Sequence, residues 1–314
     1  MDGVNIIIDT DPGIDDALAI ILALNSPELN VIGLTSTYGN MDVETTTRNI
    51  LRILGLMDRL DIKVYKGAYR PIIVEPGYME DLHGSDGLGD VNIPYPDRGV
   101  DGPAVEFLVN MAREYRGDLT IICLGPLTNI ALSILLDREF IDNVSRIISM
   151  GGAFNLTEYG RGSMNPLAEF NIYSDPHAAS IVYSSGARLY AVGLDVTMDP
   201  GAMIDSNELE LISGLGRIGK IFYDMARRIV DSRGSIALHD PIPVSYLIDG
   251  SILEFREYNV VIETAGLESM GATIIDFRDL PDDLKPGSIV NVAYRIDTKR
   301  YKSLLYERVF KAKP

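Results

Sequence analysis

Residues 5–24 read NIIIDTDPGIDDALAIILAL, and four carboxylates (Asp9, Asp11, Asp15 and Asp16) stand between a run of isoleucines and an apolar segment. The run has strand length and the segment has helix length, so the stretch reads as strand, turn, helix. Asp11 is placed to cap that helix and Pro12 to occupy its first position. A helix N-terminus tolerates negative charge, which accounts for Asp11 but not for Asp15 and Asp16 in the same first turns. Adjacent helical positions point about 100° apart, so one of that pair can face a metal held by Asp11 while the other faces a neighbouring ligand. Oxygen donors crowded together repel unless a cation holds them, and such a set suits a hard ion such as calcium or magnesium. The carboxyl end of a strand is also where open α/β sheets bind their ligands.

Working outward, NIIID, VIGLTST, IKVYKG, LTIICLG, VSRIISMGG and RLYAVGL read as strands, and the segments starting at Ile14, Val43, Gly102, Thr128 and Pro176 as helices between them. Strands apolar on both faces that alternate with helices indicate a parallel sheet covered on both sides. The expected fold is therefore α/β, Rossmann-like: one domain over residues 1–314, with a mostly parallel open sheet flanked by helices. Two stretches break the rhythm, residues 67–102 and 214–240, each of a length expected for a lid or binding loop or for a surface insertion.

With 28 basic and 45 acidic side chains the net charge is -17, which repels phosphate backbones and argues against a nucleic-acid partner. The single cysteine, Cys123, excludes an internal disulfide framework and a multi-cysteine zinc site; within LTIICLG it reads as an inert core thiol. No apolar run is long enough for a membrane span and no basic leader precedes one, so a soluble, cytoplasmic protein is expected.

Further stretches carry polar groups at strand ends. TYGN puts Asn40 past the second strand, CLGPLTNIA puts the Leu124 carbonyl at the end of another, and ALHDPIPV pairs His239 with Asp240 at a helix start. Singly, each has a plain reading: a turn residue, a cap, a surface side chain. Among the three histidines, His83 and His239 sit beside acidic loop residues, whereas His177 reads as a helix-surface or core-edge residue. AEFNIYSDP offers Glu169 and Asn171, a pattern that also fits the edge of a strand. The opening stretch is no EF-hand, since position twelve is Ile20 counted from Asp9 and Leu22 counted from Asp11. A strand followed by D-x-D also opens haloacid-dehalogenase-type phosphatases, which usually carry Thr or Val where this chain has Gly13.

Together, DTDPGIDDA, YGN, DLHGSDGLGD, LGPLTNIA, MGGA, PLAEFNIYSDP and LHDP occur in the order seen in nucleoside hydrolases of the inosine-uridine-preferring type, and the chain resembles that family over most of its length. The resemblance implies one calcium ion bound by Asp11, Asp16, Asp240 and the carbonyl of Leu124. It implies ribose contacts from Asp15, Asn40, Glu169 and Asn171, and a turn-ordering role for Asp9. It also implies hydrolysis of an N-glycosidic bond by a metal-bound water with Asp11 as general base, with His239 protonating the departing base and His83 approaching the base or 5′ side. Its partner would be a small ribonucleoside, and its assembly a homotetramer. Two departures concern recognition. Ser163 stands where the family usually has Asn, on the 5′ side; and of the two tyrosines before the HD pair, Tyr223 fits one while Arg227 falls near the other. The absence of tryptophan argues against the purine-specific subtype. A non-catalytic ribose- or nucleoside-binding protein is the alternative from another class.

Overall fold

The computed structural model describes residues 3–281 and 284–311. Twelve strands occur among them: β1 Val4–Thr10, β2 Leu29–Ser36, β3 Lys63–Lys66, β4 Gly102–Pro103, β5 Leu119–Cys123, β6 Val144–Met150, β7 Leu189–Val192, β8 Ile204–Asp205, β9 Ser235–Ile236, β10 Leu253–Ile262, β11 Thr273–Ile275 and β12 Ser288–Ile296. Ten of them form one sheet in the order β11-β10-β12-β7-β6-β5-β1-β2-β3-β4, and β8 and β9 make a separate pair. From β12 to β4 every pairing is parallel; β10 pairs antiparallel with both of its neighbours. The expected strands are β1, β2, β3, β5, β6 and β7.

The isoleucine run explains the centre of the sheet. Successive strand side chains point to opposite faces. Ile6 and Ile8 enter the core on one side and Ile7 the core on the other, all fully buried. The helices Ile14–Leu24, Val43–Leu56, Arg217–Arg233, Pro241–Ile248 and Thr298–Leu305 pack on the first side. Ala104–Glu114, Thr128–Leu136 and Pro176–Tyr183 pack on the second. Each buried isoleucine is worth roughly 1.5–3 kcal/mol.

Topology then locates the site. The chain runs outward from β1 through β2 and β3 to β4, and returns to β5 on the opposite side of β1. The carboxyl ends of β1 and β5 thus flank the crevice where the winding direction reverses, the usual ligand position in such sheets. Among the described residues no helix is long and apolar enough to cross a membrane.

Three expectations need correction. The first helix is capped by Gly13 and begins at Ile14, not at Pro12, because the Asp16 carboxylate reaches back to accept from the Gly13 N–H at 2.9 Å. The third expected helix begins at Ala104, not at Gly102; Gly102 and Pro103 are extended and pair with β3. Within residues 214–240, Arg217–Arg233 is a 17-residue helix and not a loop. Its buried Phe222, Met225, Ala226, Ile229 and Val230 recur at helical spacing, and Gly234 ends it in the left-handed conformation.

Candidate active site

The strand–turn–helix at β1 sets three carboxylates, Asp11, Asp15 and Asp16, at the crevice. Asp11 is 1% exposed. Its Oδ2 accepts from the Asn40 N–H at 2.7 Å, and its Oδ1 has no hydrogen-bond partner among the described residues. Two glycines make this placement possible: a Cβ at Gly39 would lie 2.0 Å from Asp11 Oδ2, and one at Gly125 would lie 2.5 Å from Oδ1. Asn40 also donates from Nδ2 to the Asp11 carbonyl (3.1 Å) and to Asp16 Oδ2 (3.2 Å), which fixes the two acids relative to one another. Asp9 points away from the crevice, where it accepts from Thr35 Oγ1 and Asn129 Nδ2.

Opposite stands Asp240, the N-cap of Pro241–Ile248, whose side chain makes no capping bond. Oxygens of Asp15, Asp16 and Asp240 lie within 4.8 Å of one another, all buried. This grouping contains Asp15 where the expected ligand set has Asp11, whose Oδ2 is bonded to the Asn40 amide. Burial, then the charge of Asp15, pushes Asp16 up to about 6. Burial, reinforced by Asp15, Asp16 and Asp11, holds Asp240 well above the ordinary range. Burial, then Asp16, does the same to Asp11. Carboxylates this close share protons unless a cation takes their place. Hard oxygen donors together with one orphaned buried oxygen fit a divalent ion.

A cavity of about 670 Å³ opens above this floor. Asp15, Asn40, His83, Leu124, Ser163, Glu169, Asn171, His239 and Asp240 line it. Glu169 caps the short helix Phe170–Ser174, accepting from Asn171 N, Ile172 N and Gly152 N, and burial raises its pKa. Residues 169–174 are thus a capped helical turn and not a strand edge. Asn171 Nδ2 donates to the Leu124 carbonyl at 2.7 Å and so ties this turn to the end of β5.

Both histidines are held by named partners. His83 Nδ1 accepts from Ile14 N–H at 3.2 Å, its ring seated over Gly13, where a Cβ would lie 2.5 Å from it. The His239 backbone N–H donates to Asp15 Oδ2 at 3.2 Å, and its Nδ1 lies 2.8 Å from Thr197 Oγ1. Burial lowers the pKa of both rings. The 67–102 stretch supplies Met79 and Leu82 as well as His83. With Met150, Leu194, Met198, Met203, Ile229 and Ile236 they form apolar walls suited to a flat ring.

Tyr223 lies outside this cavity, its hydroxyl donating to Glu210 at 2.9 Å. Arg227 borders a neighbouring surface hollow with Arg228, Asp231 and Ser232. Helix Arg217–Arg233 turns Ile229 and Arg233, not Tyr223, toward the cavity. His177 does not line the cavity either, and Cys123 is fully buried, with burial pushing its thiol up.

Sequence reasoning missed Asp195. Fully enclosed just past β7, it accepts from Phe154 N, Leu156 N and Thr157 N and anchors the loop that carries Arg161 and Ser163 over the cavity. The signal was present: GLD follows the strand RLYAV as an acid follows NIII.

Residues 6–303 match the family model described as inosine-uridine preferring nucleoside hydrolase. The chain is 36% identical to a probable uridine nucleosidase 2 of Arabidopsis thaliana, over 98% of this chain and 98% of that protein. It is 38% identical to the pyrimidine-specific ribonucleoside hydrolase RihA of Salmonella typhimurium, over 97% of each. Its fold is similar to that of a solved plant nucleoside hydrolase, PpNRh1, with a TM-score of 0.90, 36% identity and coverage of 98% and 99%.

Proposed function

Because the chain belongs to the inosine-uridine preferring nucleoside hydrolase family, and is thereby an N-ribohydrolase, we propose that it cleaves uridine and related ribonucleosides to ribose and free base, using calcium held by Asp11, Asp16, Asp240 and the Leu124 carbonyl. The observation that carries this reading is the set of buried, mutually repelling carboxylates at the switch point, with Asp11 Oδ1 left without a partner. Calcium held there would relieve the repulsion and would make a bound water more acidic.

The chain's own residues do the rest. Asp11, beside that ion, accepts the proton of the attacking water. Water oxygen bonds to C1′ as the C1′–N bond breaks, and the electron pair leaves with the base. Asp15, Asn40, Glu169 and Asn171 hold the ribose hydroxyls. Buried carboxylates beside the ring stabilise the positive charge that builds on the sugar in such cleavage. His239 donates to the base as negative charge grows on it, and His83 faces the base or 5′ side. Base recognition falls to the apolar walls and to Arg233, since Tyr223 is turned to Glu210. The uridine preference rests on the relatives named above and on the absence of tryptophan. A cytoplasmic homotetramer is inferred from the resemblance, with Leu135, Leu136, Phe277 and Ile289 as exposed apolar side chains a partner subunit could cover.

The deciding experiment incubates the protein with uridine, inosine and uridine 5′-phosphate in calcium and assays ribose and phosphate. Ribose from the nucleosides is expected. Phosphate from the nucleotide without ribose would mean a phosphatase, and neither product would mean a binding protein.

A further inference from the structure

Thr197 faces the ring of His239. Thr197 ends the short helix Leu194–Thr197 after β7 and is fully buried. Its Oγ1 lies 2.8 Å from His239 Nδ1 and has no other side-chain hydrogen bond among the described residues. A buried hydroxyl hydrogen is rarely left without an acceptor, and Nδ1 is the acceptor in reach. A neutral imidazole carries one proton, on either nitrogen, and the partner of one nitrogen decides the state of the other.

We infer that Thr197 is a positioning residue for the hydrolysis: by donating to Nδ1 it keeps the ring proton of His239 on Nε2, the nitrogen free to meet the departing base. The claim rests on the role given to His239 above. The same four-residue helix contributes Asp195, which anchors the 154–157 backbone, and Leu194, which lines the cavity. One turn of chain therefore sets the rim loop and the proton-donating ring together. The His239 backbone N–H is already bound to Asp15, so the ring torsions are what Thr197 holds.

The test compares Thr197→Val, which keeps the shape and loses the hydroxyl, with Thr197→Ser, which keeps it. Substrates are uridine, whose base needs help to leave, and p-nitrophenyl riboside, whose leaving group does not. Thr197→Val should lower kcat on uridine by roughly tenfold, the size of one neutral hydrogen bond's contribution. KM and the p-nitrophenyl riboside rate should stay within about twofold, and Thr197→Ser should restore the uridine rate. In a His239→Ala background the valine substitution should cost nothing further. In 15N spectra of histidine-labelled protein, assigned with His239→Ala, Nδ1 of His239 should be the unprotonated nitrogen, and Thr197→Val should mix the two tautomers. Equal slowing on both substrates, a protonated Nδ1 in the parent protein, or additive losses in the double variant would overturn the inference. If His239→Ala itself slows both substrates equally, the role given to His239 fails and the kinetic claim for Thr197 falls with it. The nitrogen spectra separately decide whether Thr197 donates to the ring.

Discussion

Strands β1 and β7 lie on either side of the pair β5–β6, and each is followed by a buried acid, yet the two acids are finished in opposite ways. After β7, Asp195 accepts from three backbone N–H groups, and no carboxylate is among the groups that perturb it. Past β1, Asp11 keeps one oxygen unbonded and feels the like charges of Asp16 and Asp15, which themselves meet Asp240. Burial raises the pKa at both places, but only at β1 does like charge add to it. An acid whose lone pairs are consumed by the backbone builds a loop. An acid left short of partners among other acids is kept for something that binds.

The largest effect expected from this contrast is on activity. Prolonged chelation should abolish ribose release, and readdition of calcium should restore it. Asp11→Ala should lower kcat/KM by on the order of 10²- to 10⁴-fold, as loss of a general base does, and metal analysis should show reduced calcium content. Asp195→Asn should leave calcium content unchanged. Full activity in thoroughly stripped protein would remove the distinction between the two acids.

Next is the pH dependence of stability. Asp16 has its folded pKa raised from 3.8 to about 6. The charged form is thus the disfavoured one in the folded chain. The associated stability is fully present below about pH 4 and is lost as pH rises through 6. At about 1.4 kcal/mol per pKa unit this is at most roughly 3 kcal/mol. Chelated protein should therefore melt at lower temperature at pH 7 than at pH 5, and excess calcium should flatten or reverse that trend. Asp240→Asn, by removing one repelling charge, should raise the melting temperature of the chelated protein at pH 7 and abolish its response to calcium. Identical pH profiles with and without calcium would show that the β1 cluster is no more strained than the β7 end.

At β7 the expected cost is structural. Asp195→Asn keeps the shape but replaces one charged oxygen with an amide that cannot accept. The backbone N–H groups of Phe154, Leu156 and Thr157 then lose part of their acceptor. A loss of about 1–3 kcal/mol is expected for hydrogen bonds to a charged group, independent of calcium. KM should rise more than kcat falls, since the loop above the cavity is what loosens. A stability change that depends on calcium would place Asp195 in the cation network after all.

The central sheet was legible because buried parallel strands are apolar on both faces, as Ile6, Ile7 and Ile8 are. Strand β10 was not: Glu254, Arg256 and Glu257 are all exposed within LEFREYNVVI, the last two adjacent and so on opposite faces, which breaks the alternation. The helix Arg217–Arg233 is polar over most of its surface and was obscured by the length of the break in pattern. In the site, charge clusters stand out in sequence, and Asp15, Asp16 and Asp240 meet in space. Asp195 and Thr197 act through backbone amides and a hydroxyl, which leave no cluster to read. The capping role expected for Asp11 failed because Asp16 reaches back to the Gly13 N–H while Asn40, 29 residues from Asp11, holds Asp11 Oδ2.

The smallest effect expected concerns the loop that Asp195 anchors. Ser163 lies on it, exposed and lining the cavity, its backbone N–H bound to the Ala168 carbonyl at 2.9 Å. Asn165, two residues on, is a side-chain amide that could substitute for the family's asparagine, but both its oxygen and its nitrogen are already engaged. Its Oδ1 accepts from Leu167 N and Ala168 N, and its Nδ2 donates to the Met270 carbonyl. The 5′-hydroxyl of a ribonucleoside then meets a serine hydroxyl, with one donor where an amide has two, or a bridging water, or Glu169. A water bridge keeps most of the enthalpy but fixes position less firmly. Discrimination between uridine and 5′-deoxyuridine should accordingly be weak. Ser163→Asn should widen the ratio of their kcat/KM values by up to about 1 kcal/mol, one net hydrogen bond. Combined with Asp195→Asn, the gain should shrink, because an added amide orders a contact only if the loop beneath it is held. A ratio that is unchanged, or that falls, in Ser163→Asn would mean that residue 163 does not face the 5′-hydroxyl. A gain that survives Asp195→Asn undiminished would mean that the β7 acid does not hold this part of the loop.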